Sequence, residues 1–145
     1  MDYQTKLILR FDDDDDGSGK LSVEASSKGF CGHGGAYFAK TELEAFANSL
    51  AMYPLSTENL PKIAGGYWSQ EREGVLDQEL LGISVYTIDR RGNLGIQVRI
   101  ATEDWARLES QHGVKIEILT NYQPLVELSR KLLALLDGRI EAAIL

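Results

Sequence analysis

The sequence predicts an α+β fold, an antiparallel sheet of about five to seven strands with two main helices packed on one face, over a single domain spanning residues 1–145. Three observations carry this. Apolar residues alternate with polar ones in several short segments, as half-buried strands require. Two other segments carry apolar stripes at three- and four-residue spacing, bounded by helix start and stop signals. Strands and helices do not alternate in βαβ fashion, so the sheet should be antiparallel.

The strands come first. Lys6 to Phe11 places Leu7, Leu9 and Phe11 on one side, and Leu21, Val23 and Ala25 alternate with Ser22, Glu24 and Ser26. The polar run Asp12 to Gly19 joins them as a hairpin loop. Gly34 to Ala39 reads as a short third strand, with Tyr37 and Phe38 its bulky residues. Thr41 and Glu44 form a T-x-x-E capping box that starts the first helix. Its stripe is Leu43, Phe46, Ala47, Leu50 and Ala51, and Pro54 stops it.

A region rich in glycine and aromatics follows, with Ile63, Tyr67 and Trp68 in a strand. Leu81 to Ile88 and Leu94 to Ala101 then form the clearest hairpin, with turn chemistry in Asp89-Arg90-Arg91-Gly92-Asn93. Leu94, Ile96, Val98 and Ile100 alternate with Gly95, Gln97, Arg99 and Ala101, one face buried and one wet. Glu103 to Glu109 reads as a helical turn carrying Trp105 and Leu108 inward. Val114, Ile116 and Ile118 mark another strand. The last helix starts near Pro124, buries Leu125, Leu128, Leu132, Leu135 and Leu136, and ends at Gly138. Ile140 to Leu145 is a final short strand or a frayed tail.

Composition bounds the function. At 145 residues, with 43% apolar and 26% charged, the chain can bury a single core. The net charge is −7, and Asp12 to Asp16 supply five of the negative charges, leaving −2 elsewhere. This balance repels phosphate backbones and argues against nucleic acid, while it suits a basic partner. Cys31 is the only cysteine, so no internal disulfide forms, as in a reducing compartment. The N-terminus lacks a signal-peptide pattern, and no apolar run approaches the roughly 18 residues that span a membrane. A cytoplasmic location, without membrane contact, is expected.

No residue set identifies a reaction, a cofactor or a metal. Asp12, Asp14, Asp16 and Gly17 fit the first ligand positions of a calcium loop. Gly19 and Val23 then stand where an apolar residue and a bidentate glutamate belong, and the flanks are strands. A solvated acidic turn is the simpler reading, with a weak calcium-dependent interaction module as an alternative. Gly32-His33-Gly34-Gly35 resembles an oxyanion-hole loop, but its G-x-S-x-G partner is missing. Cys31 and His33, two apart in a strand, point the same way as a thiol and base would. Nothing in the sequence supplies the orienting third group. The glycines more simply let the backbone turn sharply or approach another strand. A small-ligand site or small enzyme in this Cys31/His33 region, with Tyr67 and Trp68, is the second alternative. His33 and His112 are the only histidines, too few for a zinc site. Tyr67 and Trp68 beside Gly65-Gly66 read as core aromatics next to a bulge, and Asp89, Arg90 and Arg91 as solvated turn residues.

Several pieces occur in a recognisable order. Leu21-Ser22-Val23-Glu24-Ala25 leads to Gly29-Phe30-Cys31-Gly32, then to Ala36-Tyr37-Phe38 and the Leu-x-x-Phe-Ala-x-x-Leu helix. Late in the chain Thr120-Asn121-Tyr122-Gln123 opens an amphipathic helix. In this the chain resembles small bacterial proteins of the WapI-type immunity group, with Cys31 where that group has serine. The resemblance implies a non-enzymatic α+β protein that binds and blocks a cognate toxin of the same cell. It assigns no catalytic residue, and the contact residues and oligomeric state stay open.

Overall fold

The computed structural model describes residues 4–103 and 107–145. Eight strands and two helices run in the order β1 (Lys6–Asp13), β2 (Ser18–Ser27), β3 (Phe30–Ala39), α1 (Lys40–Ser49), β4 (Lys62–Trp68), β5 (Leu76–Thr87), β6 (Leu94–Ala101), β7 (Gly113–Thr120), α2 (Tyr122–Leu136) and β8 (Ala143–Ile144). The chain is α+β and every strand pairing is antiparallel. No helix among the described residues is long and apolar enough to cross a membrane.

The strands form two four-stranded sheets, β3-β2-β1-β8 and β4-β5-β6-β7, rather than one sheet of five to seven. Alternation tells which side of a strand is buried but not which strand lies beside it, and here the chain breaks between β3 and β4. The two sheets meet face to face through β3. A Cβ placed on Gly32 would lie 2.5 Å from Val114 Cγ1, one on Gly34 2.6 Å from Ile100 Cγ2, and one on Gly65 2.7 Å from the Phe38 ring. The glycine run therefore serves close approach between sheets, one of its two expected uses.

Burial follows the alternation. Leu7 and Leu9 of β1, Leu21, Val23 and Ala25 of β2, and Ala36 and Phe38 of β3 form the inner face of the first sheet. Ile83, Val85, Leu94, Ile96, Val98, Ile100, Ile116 and Ile118 form that of the second. The helices complete a single core: α2 packs on β1 and β8, α1 on β3 and β4, and the two pack on each other. They run antiparallel, since Ser129 Oγ of α2 donates to the Ala47 carbonyl of α1 at 2.6 Å and the end of α1 leads to Tyr122.

Several element boundaries differ from the sequence reading. β1 and β2 extend into the acidic run, leaving a tight turn, and β3 is ten residues long. The first helix starts at Lys40, directly out of β3. Its N-cap is Ala39, so Thr41 caps nothing, and Ala51 is exposed rather than part of the stripe. The start is set by tertiary contacts instead: the Lys40 N–H donates to the Gly17 carbonyl, and Lys40 Nζ lies 2.9 Å from Asp13 Oδ2.

Similarly, α2 starts at Tyr122, with Pro124 in its first turn, where a missing N–H costs nothing. Its end is as expected. Gly138 (φ +76°) and Arg139 donate to Leu135 and Ala134 in the paired hydrogen bonds of a Schellman cap. Of the turn expected over Glu103 to Glu109, residues 104–106, Trp105 among them, lie outside the described residues. Leu108 sits in a 3-10 turn and is 71% exposed, so it does not point inward. That connection is closed by Thr102 and His112 through backbone and hydroxyl hydrogen bonds beyond the end of the core. The chain end resolves into β8, paired with Ile8 and Leu9.

Candidate functional site

Cys31 and His33 lie exposed on the outer face of the first sheet, opposite Ser26 and Glu24. They do share a face, and His112 joins them with Thr102 around a shallow cleft of about 140 Å³. That volume is well below the roughly 300 Å³ at which small-molecule pockets begin. Glu24 faces His33, yet its carboxylate is held by Lys6 at 2.7 Å. The Lys6 hydrogen bond is the main reason it stays below the usual carboxylate range. The group that would orient a histidine base is thus committed to a lysine.

The acidic turn is folded by its own carboxylates. Asp13 accepts the Asp15 N–H at 2.8 Å and pairs with Lys40, while Asp16 accepts both the N–H and the hydroxyl of Ser18. These bonds, Lys40 first for Asp13 and the Ser18 hydroxyl first for Asp16, hold both groups below the ordinary aspartate range. A calcium ion would have to displace them. Among the described residues no group of three His, Cys, Asp or Glu side chains is placed to hold a metal ion.

Tyr67 and Trp68 sit beside a bulge, as expected, with register shifts at Gly65/Gly66 and Tyr67/Trp68. They are not core aromatics. Both are exposed, and the Tyr67 hydroxyl donates to Glu103 at 2.5 Å. β4 is an edge strand of its sheet.

A larger concavity lies elsewhere, where the β5–β6 turn meets the ends of the helix pair. It encloses about 800 Å³ between Tyr53, Arg90, Arg91, Asn121, Tyr122 and Gln123. Asp89 builds one wall. Its carboxylate accepts the Arg91 N–H at 2.7 Å and the Asn93 side-chain amide at 2.6 Å, which fold the hairpin tip and lower its pKa, the Asn93 bond most. The tip is an organised turn, and Asp89, Arg90 and Arg91 are exposed in it, as expected. Tyr53 and Tyr122 build the opposite wall, edge to face with centroids 4.7 Å apart, and the Tyr122 hydroxyl accepts the Leu55 N–H at 3.1 Å.

Three features define what this cleft can do. Among the described residues, neither Arg90 nor Arg91 has a carboxylate within 4.0 Å, and the one aspartate in the wall spends its oxygens on the turn. The first turn of α2 opens into the cleft without an acidic residue, and Asn121 makes no side-chain cap. Tyr53 is 78% exposed, and its chain neighbour Met52 is exposed as well. In an acidic chain this is a locally electropositive, aromatic-rimmed hollow. The sequence signalled the hairpin tip alone; nothing in it places Tyr53 and Tyr122 beside Arg90.

The outer face of the second sheet carries an ordered polar network. Arg99 donates to Glu79 at 2.7 Å, Gln97 at 2.9 Å and Ser84 at 3.2 Å, with its guanidinium over Gly82. Tyr86 lies over Gly95 and donates to Glu117. Compared with protein-family models, curated proteins and solved structures, the chain matches none.

Proposed function

We propose that this chain is a non-enzymatic, cytoplasmic protein-binding domain that receives its partner at the cleft between Tyr53, Arg90, Arg91 and Tyr122. Following the resemblance to WapI-type immunity proteins, the partner is a toxin made by the same bacterial cell. The observation that carries the reading is the pair of arginines, with no carboxylate within 4.0 Å among the described residues, lining a cleft with exposed Tyr53, whose chain neighbour Met52 is exposed too. Tyr and Arg are the side chains that most often dominate binding energy at protein interfaces, and Met is enriched there. An acidic group of the partner entering this hollow meets two guanidinium forks and the positive end of α2. The acidic turn lies at the other end of the helix pair, about 20 Å away along α2, and offers a second contact to basic residues.

A small-ligand reading also draws on this cleft, whose volume falls in the usual pocket range. One experiment separates the two. The tagged chain and a Tyr53→Ala/Arg90→Ala variant are used to capture partners from the source cells at low salt. A single stoichiometric protein should be retained by the wild type and lost by the variant. Growth of cells producing that protein should be restored by the wild-type chain alone. Capture of nothing, or equal capture by both, would overturn the reading.

A further inference from the structure

We infer that β7 is a self-pairing edge, through which two copies of this chain join their second sheets across a two-fold axis at Ile116. Edge strands expose a row of unpaired backbone groups, and natural proteins blunt them with bulges, charged side chains or very short strands. Two of the four edges here are blunted in those ways. β8 has two residues and β4 carries two register shifts, while β3, unbroken in register, carries Gly32, Gly34 and Gly35, which offer an added strand no side-chain contact. β7 is different. Its eight residues pair with β6 in unbroken register. Among the described residues, the backbone from Val114 to Leu119 makes no hydrogen bond outside that ladder.

The side chains along this edge are complementary to their own two-fold image. With Ile116 opposite Ile116 of the second copy, antiparallel pairing sets Lys115 against Glu117 and Glu117 against Lys115. It also sets Leu119 over Gly113 at each end. All four positions lie on the exposed face and alternate with buried Ile116 and Ile118. Among the described residues no carboxylate lies within 4.0 Å of Lys115, and the Tyr86 hydroxyl occupies only Oε2 of Glu117. Leu119, 65% exposed, gains the one neighbour without a side chain to clash with it. Beside the edge runs a groove of about 400 Å³ walled by Lys28 and Phe30, the latter 68% exposed. A strand added to β7 enters that groove and places its inner face against the Phe30 ring. Each contact occurs twice, as an isologous interface requires.

The full-length chain in sedimentation equilibrium should show a monomer–dimer equilibrium. Lys115→Glu turns two attractive cross-strand pairs into repulsive ones, and Glu117→Lys does the same; each should weaken dimerisation about tenfold or more. The double variant Lys115→Glu/Glu117→Lys restores opposite charges and should recover the dimer. This separates interface loss from misfolding, because a fold defect would not be repaired. A chain that stays monomeric at the highest concentrations reached, or a dimer indifferent to both single substitutions, overturns the proposal.

Discussion

Replacing Gly34 with alanine tests how tightly the two sheets approach. The residue sits in extended backbone, so alanine brings no conformational strain, and any cost must come from contact. Its Cβ would lie 2.6 Å from Ile100 Cγ2. That is about 1 Å inside the roughly 3.5–4 Å of a favourable carbon contact. Cγ2 hangs directly on the Cβ of a strand residue and cannot swing aside, so β3 and β6 must part or Ile100 must leave its rotamer. Overpacking of this kind costs about 1–3 kcal/mol, which lowers Tm by about 2–4 °C per kcal/mol in a domain of this size. Ile100→Leu removes the branch at Cβ while keeping the volume, at a cost below about 1.5 kcal/mol. Urea unfolding of the wild type, both single variants and the double variant measures the coupling. The double variant should be about 1 kcal/mol more stable than the sum of the singles predicts. Additivity within about 0.5 kcal/mol, or an unaffected Gly34→Ala, would show that close sheet contact is not why glycine stands there.

Gly138→Ala is the converse case, because nothing lies within 4 Å of the added Cβ but φ is +76°. About 1–2 kcal/mol should be lost to left-handed backbone alone, read by the same melts; no loss would discount the Schellman cap. Ser129→Ala deletes the buried hydroxyl that donates to Ala47 between the helices, and should cost about 1 kcal/mol. An unchanged urea midpoint would mean the bond contributes nothing net. Burial first, and then its hydrogen bond to Glu117, push the Tyr86 phenol up to about 12, against about 10 when unfolded. Because the folded value is the higher one, its stabilisation is complete below about pH 10 and disappears as pH rises towards 12. Phenolate absorbance should therefore show a late-titrating tyrosine, which Glu117→Gln moves part of the way back; a curve unchanged by that substitution would contradict the assignment.

Local features were legible where a single chain segment determines them. The buried faces of β1, β2 and β6 follow from period-two alternation, because the pleat sends successive side chains to opposite sides. The α2 stripe and its Gly138 cap follow from helical spacing and from the freedom of glycine at positive φ. Position in the whole molecule decided the rest. Whether β3 continues one sheet or faces a second depends on the distant side chains of Ile100 and Val114 that its glycines admit. The start of α1 depends on Gly17 and Asp13, not on the adjacent Thr41. Trp68 and Leu108 stand exposed because an apolar residue buries itself only where another element supplies the partner surface. The cleft depends on a hairpin tip meeting two helix ends that are far apart in sequence. Hydrogen-bond geometry and periodicity act over a few residues and can be read from the chain, whereas burial, sheet pairing and the meeting of charged groups are long-range contacts that only the folded chain creates.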